Sequence, residues 1–273
     1  MVAPRGGMEP KAWFAIREVD EKIRRLPDVL SSLLTQTDFG RGEIALGRDV
    51  PVVMPAELPP KPGLASLEGQ ARLLHDLASI ELQAMELAVR TLYEFPDAAL
   101  EFRKELADLA LDEGKHLGLC LRDLRDLGFN WGSWPAHLAL WQAVSPEDTL
   151  LDRILIVHRY LEGSGLDAGD SILRRLVGVP NKFVRETVKT IVDEEVAHVS
   201  FGSRWYRRVA EDMRIDPERD FAERMAVLVR TIPRKERIAA DLRRRAGFTD
   251  YEISVIESAR FAYEKGEFEI RTH

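Results

Sequence analysis

The chain has 273 residues, 45% of them hydrophobic, with 39 Lys and Arg against 46 Asp and Glu for a net charge of −7. That length supports one large domain or two small ones with a real core, and the acidic excess argues against wholesale binding to nucleic acid or an anionic membrane. The one cysteine, Cys120, allows no intrachain disulfide and fits a reducing cytoplasm. The opening MVAPRGGMEP lacks the apolar core of a signal peptide, and no apolar run approaches the ~20 residues that span a bilayer, so a soluble cytoplasmic protein is expected.

Residues 1–62 read as an appendage to be packed on the main body. Trp13, Phe14, Ile16, Val19 and Ile23 recur at roughly helical spacing with Arg17, Glu21 and Arg24 between them, which predicts one short amphipathic helix. Pro51, Pro55, Pro59, Pro60 and Pro62 then exclude helix and favour an extended strap ending at Gly63.

A main body over 63–212 should begin with a helix capped by Ser66 and running to about Tyr93. Leu74, Leu77, Ala78, Ala84, Met85 and Ala88 share the side of Glu81, while Asp76, Gln83, Glu86 and Arg90 fall opposite. Glu81 is thus an acid within an apolar stripe, where a carboxylate needs a compensating charge, either a cation or a buried salt bridge. His75 falls off this face and is excluded as a ligand. A second helix, about Asp97–Leu127, carries Glu113 and His116 beside Leu106, Leu109, Ala110, Leu117, Cys120 and Leu124, with Asp108, Lys115 and Arg122 pointing away. Cys120 is read as a small core residue.

Residues 128–146 form a long aromatic connection whose length suits a crossover. Trp131, Trp134 and Trp141 are expected to cap the helices, a substrate lid being the alternative. A third helix, about Glu147–Val177, aligns His158 and Glu162, and Gly163 and Gly165 beside Glu162 predict a kink or π-bulge or else a close helix contact. A fourth, about Asn181–Asp212, carries Glu195 and His198 on a face with Val188, Ile191, Val192, Val199, Gly202, Tyr206 and Val209. Tyr206, eleven residues beyond Glu195, is too far along the axis for a redox tyrosine. The extension 213–273 should hold helices over about 216–231, 233–246 and 249–263. Its basic run, Arg230, Arg234, Lys235, Arg237, Arg243, Arg244 and Arg245, reads as a solvated face, an anionic partner such as RNA being the alternative.

Two stretches organise this pattern, Glu113-Gly114-Lys115-His116 and Glu195-Val196-Ala197-His198. Residues three apart lie one turn apart on one helix face, so each Glu-x-x-His can grip a metal ion. Glu81 precedes the first and Glu162 the second by nearly equal gaps. Four carboxylates and two imidazoles on four helices form the ligand set of di-iron and di-manganese bundles. Glu81, Glu113 and His116 are assigned to one ion and Glu162, Glu195 and His198 to the other, with Glu113 and Glu195 as bridges. Oxygen and nitrogen donors without thiolate suit iron or manganese. Two ions are expected, Fe/Fe being preferred and Mn/Fe or Mn/Mn the alternatives. Asp112 and Glu194 could accept a hydrogen bond from a ligand histidine, and His158 is read as a neighbour donating to the ligands or as core.

The chain resembles the ferritin-like superfamily, and more closely a bacterial group of ferritin-like proteins of unknown function. The resemblance is carried by Gly63-Leu64-Ala65-Ser66-Leu67-Glu68-Gly69 leading to His75 and Glu81, by Glu113 and His116, and by Trp134-Pro135-Ala136-His137 to Trp141. Leu161-Glu162 with Gly165-Leu166-Asp167, then Glu195 and His198 with Gly202-Ser203-Arg204-Trp205-Tyr206, complete it over roughly 60–210. In general layout the group resembles tRNA-modifying di-iron hydroxylases. The chain departs at Gly163-Ser164, where the group carries bulkier residues. The resemblance implies an all-α, ferritin-like four-helix bundle with a long crossover between its second and third helices, flanked by an N-terminal extension and C-terminal helices. The function expected is a di-iron oxidase or oxygenase (hydroxylase) acting with dioxygen on an unknown small-molecule substrate. A ferroxidase, iron-handling or peroxide-detoxifying protein is the alternative, and a non-catalytic metal-stabilised scaffold a second one. No membrane contact is expected, and a homodimer is left open.

Overall fold

In the computed structural model, residues 7–36, 38–39 and 42–266 are described. Met1–Gly6, on which part of the leader expectation rests, lie outside them. The described residues are mostly helical, with no strand among them and one isolated bridge pairing Val52 with Ala136. Among the described residues no helix is long and apolar enough to cross a membrane. The chain divides into two units, Met1–Gln142 with Gly178–Thr187, and Ala143–Val177 with Val188–His273.

The first unit is built on α3 (Leu67–Glu94) and α4 (Leu100–Asp126), which pack along each other. Ser66 caps α3 as its sequence predicts, its hydroxyl accepting from the Gly69 amide at 3.0 Å. The expected single N-terminal helix is two, α1 (Pro10–Phe14) and α2 (Val19–Thr35). The break has a tertiary cause. The Phe14 carbonyl accepts from Lys22 Nζ at 3.1 Å and from the Gly47 amide at 2.9 Å, while Trp13 Nε1 donates to the Lys22 carbonyl. Those bonds fold the chain back at Ala15.

The far side of α3 is not solvated as its pattern suggests. Glu86 is fully buried, paired with Lys22 Nζ at 2.6 Å and with Arg48. Burial drives the Lys22 pKa down despite the opposing pull of Glu86. The N-terminal helices and strap therefore cover a polar face of α3 by supplying matched charges. The strap is extended apart from one 3-10 turn, Pro55–Glu57.

The aromatic connection is laid on α3 and the strap. Trp131 stacks on His75 with ring centres 4.8 Å apart and donates to Asp49 at 2.7 Å. Trp134 stacks on Phe129 and meets His75 edge-on. Trp141 lies against Phe14 beneath the Arg90 guanidinium. Gly132 holds φ +92°, a left-handed turn that a side chain would strain, and its amide donates to His75 Nε2 at 3.3 Å.

In the second unit the third predicted helix is tripartite: α5 (Leu150–Ile154), a π-helix over Leu155–Leu161, and α6 (Glu162–Arg175). The irregularity expected beside the glycines thus lies immediately before them. It is followed by α7 (Lys182–Asp212), whose residues 182–187 belong to the first unit, then α8 (Pro217–Thr231), α9 (Ala240–Arg245) and α10 (Asp250–Lys265). The helix predicted over 233–246 is shorter, because the Ala239 amide at its start is taken by Asp167 Oδ1 at 2.8 Å. Nor is the basic run uniformly solvated. Arg243 is buried, forked onto Asp167 at 3.0 and 2.7 Å, while Arg244 and Arg245 are exposed.

Candidate metal centre

In the first unit Glu81, Glu113 and His116 come together from the facing sides of α3 and α4. Glu113 and His116 are fully buried and Glu81 is 4% exposed. His116 Nδ1 stands 3.5 Å from Glu81 Oε2 and 3.7 Å from Glu113 Oε2. Those separations are longer than a good N–H···O hydrogen bond. Donors about 2.1 Å from one ion stand roughly 3.0–3.5 Å apart around it, so the Glu81 separation falls at the upper edge of a ligand shell and the Glu113 separation just beyond it. The surroundings are apolar, with Leu74, Ala78, Met85, Leu106, Leu109 and Leu117 buried. Cys120, one turn beyond His116, is fully buried; burial, reinforced by Glu81 and Asp123, holds its thiol protonated. It is a packing residue, as read. Asp112 is exposed.

In the second unit Glu195 Oε1 lies 3.2 Å from His198 Nδ1 within one turn of α7. His198 is buried, Glu195 keeps 13% of its side chain exposed, and Glu194 is half-buried. Glu162, 8% exposed at its side chain, pairs with buried His158, whose Nδ1 is 2.8 Å from Glu162 Oε1. A bare ring nitrogen would repel the carboxylate there, so Nδ1 carries the proton. His158 Nε2 is buried with no hydrogen-bond partner.

Gly202 explains how α7 comes so close. A Cβ there would stand 2.5 Å from His158 Cβ and 2.9 Å from the His158 carbonyl. At the other end, a Cβ on Gly169 would stand 2.3 Å from Val192 Cγ2. The two contacts make the α5–α6 stretch antiparallel to α7 and put Glu162 level with His198. Helical period puts Gly202 on the face of Glu195 but carries no sign that it is an approach point.

His75 belongs to neither group. Its ring is sandwiched into the aromatic connection, and burial lowers its pKa to about 4, so it is neutral.

What these elements define is an all-helical protein with largely buried glutamate and histidine side chains, of which Glu113, His116, Glu195 and His198 could bind a metal ion. The chain belongs to the family described as protein of unknown function (DUF455), which matches residues 17–254. It is 28% identical over 254 residues to an uncharacterized protein of Haemophilus influenzae, covering 86% of this chain and 88% of that protein. No solved structure gives a significant match.

Proposed function

We propose that the chain is a ferritin-like, dinuclear metal protein acting as an oxidase or oxygenase on a small organic substrate. Glu81, Glu113 and His116 would hold one ion and Glu162, Glu195 and His198 the other, Glu113 and Glu195 bridging. The carrying observation is that each half sets a buried or nearly buried carboxylate 3.2–3.7 Å from an imidazole on its Glu-x-x-His turn. Such a donor set fits divalent iron or manganese. Four carboxylates offset the charge of two divalent ions, so the centre is close to neutral when loaded, which suits its apolar setting. When bound, a redox-active pair supplies the electrons for chemistry with dioxygen.

This chain's residues do the rest. The apolar side chains around Glu81 and Glu113 exclude water, which strengthens each charge interaction there. His158, donating through Nδ1, fixes the Glu162 carboxylate. Asp112 and Glu194 are proposed to accept hydrogen bonds from the ligand histidines, and an alanine at Asp112 should then lower metal affinity.

Metal analysis of the purified protein, followed by anaerobic loading with ferrous iron and exposure to oxygen, tests the reading. Two ions per chain, oxygen uptake and no mineral core are expected. A mineral core on sizing would transfer the protein to iron storage, and a metal-free protein with unchanged folding would overturn the centre.

A further inference from the structure

The π-helix before Glu162 is held from outside by the C-terminal helices. The Glu162 amide donates to the Val157 carbonyl, where α-helical bonding would use His158. Such bonding is rare and frequently found at functional sites, and it persists where neighbours hold it. Arg159 is fully buried, forked onto Glu252 of α10 at 2.8 and 2.9 Å and stacked over Phe248. The Tyr160 hydroxyl donates to the Ile232 carbonyl. Ser164 Oγ donates to the Tyr160 carbonyl at 2.7 Å, and Arg260 Nη2 of α10 stands 3.3 Å from that hydroxyl and 3.0 Å from Asp167 Oδ2. Gly163 lacks the Cβ that would stand 2.9 Å from Arg243 Nη1. His158 lies within this π-helical stretch and Glu162 follows it directly.

We propose that the C-terminal helices are a clamp on the metal centre, with Arg159 and Arg260 acting as positioning residues for Glu162 and His158. The inference rests on the metal-centre reading above. Releasing the clamp lets the stretch revert to α-helical bonding, a slip of one residue. One residue of helix is about 100° of rotation and 1.5 Å of rise, enough to carry a carboxylate out of a ligand shell. The C-terminal segment is thereby assigned a role in setting ligand geometry and metal affinity at the Glu162 half of the centre.

The test uses the full chain and cobalt(II), whose visible spectrum reports ligand geometry. Arg260→Met is compared with Arg260→Lys, Ser164→Ala and wild type for cobalt affinity, stoichiometry and spectrum, with far-UV circular dichroism as the fold control. Arg260→Met should bind one of two ions at least about tenfold more weakly, a cost of about 1.4 kcal/mol, with an altered spectrum. Arg260→Lys should restore both in part, and Ser164→Ala should shift both in the Met direction. A folded Arg260→Met with wild-type spectrum and affinity overturns the clamp. Where that variant does not fold, Ser164→Ala decides by the same criterion. Wild type that binds no cobalt overturns the metal centre and the clamp together; wild type that binds two ions beside unchanged variants overturns the clamp alone.

Discussion

Acidification should unfold this protein partly through His75, a residue with no place in the metal centre. His75 is 1% exposed, stacked on Trp131, and accepts from the Gly132 amide. Burial lowers its pKa from 6.5 to about 4; nearby Asp76 opposes the shift and Arg72 adds to it. The unfolded chain therefore takes up a proton below pH 6.5 that the folded chain refuses until about pH 4. Stability is fully present above the unfolded value and is lost as pH falls towards the folded one. At 1.36 kcal/mol per unit the whole window is worth about 3 kcal/mol, roughly 2 of it between pH 6.5 and 5. Urea unfolding of wild type and His75→Gln at about pH 7, 6 and 5 isolates this contribution, since every other titrating group is common to both. Wild type should lose about 2 kcal/mol more than the variant across that range. Parallel losses would refute the claim that a neutral His75 anchors the aromatic connection.

Other outcomes follow from single contacts. Glu86→Ala strands Lys22 in the interior and should cost about 3–5 kcal/mol in urea unfolding, whereas replacing the pair with apolar residues should recover much of that; equal costs would show that the pair is not coupled. Gly202→Ala drives a methyl into His158 and should destabilise by about 1–3 kcal/mol, with cobalt affinity falling as the His158–Glu162 bond is disturbed; an unperturbed variant would remove Gly202 as the approach point. Glu113→Ala should reduce bound metal without unfolding the chain, since it removes an acid from an apolar face; wild-type metal content in that variant would count against the ligand assignment.

Much of the fold is written locally. The Ser66 cap, the buried stripe from Leu106 to Leu124 and the outward set of Asp108, Lys115 and Arg122 follow from helical period alone, because a 3.6-residue repeat decides which side chains share a face. The two Glu-x-x-His turns are legible for the same reason, since residues three apart must neighbour each other whatever the rest of the chain does. Periodicity says which residues share a face and nothing about what covers it. Glu86 reads as a solvent-facing acid, yet segments 38 and 64 residues away in sequence bring Arg48 and Lys22 onto it. Arg243 reads as part of a solvated basic run, yet Asp167, 76 residues earlier, draws it inside. Charges as costly to bury as these go in only where an opposite charge from a distant part of the chain arrives at bonding distance, and that arrival is a property of the tertiary fold.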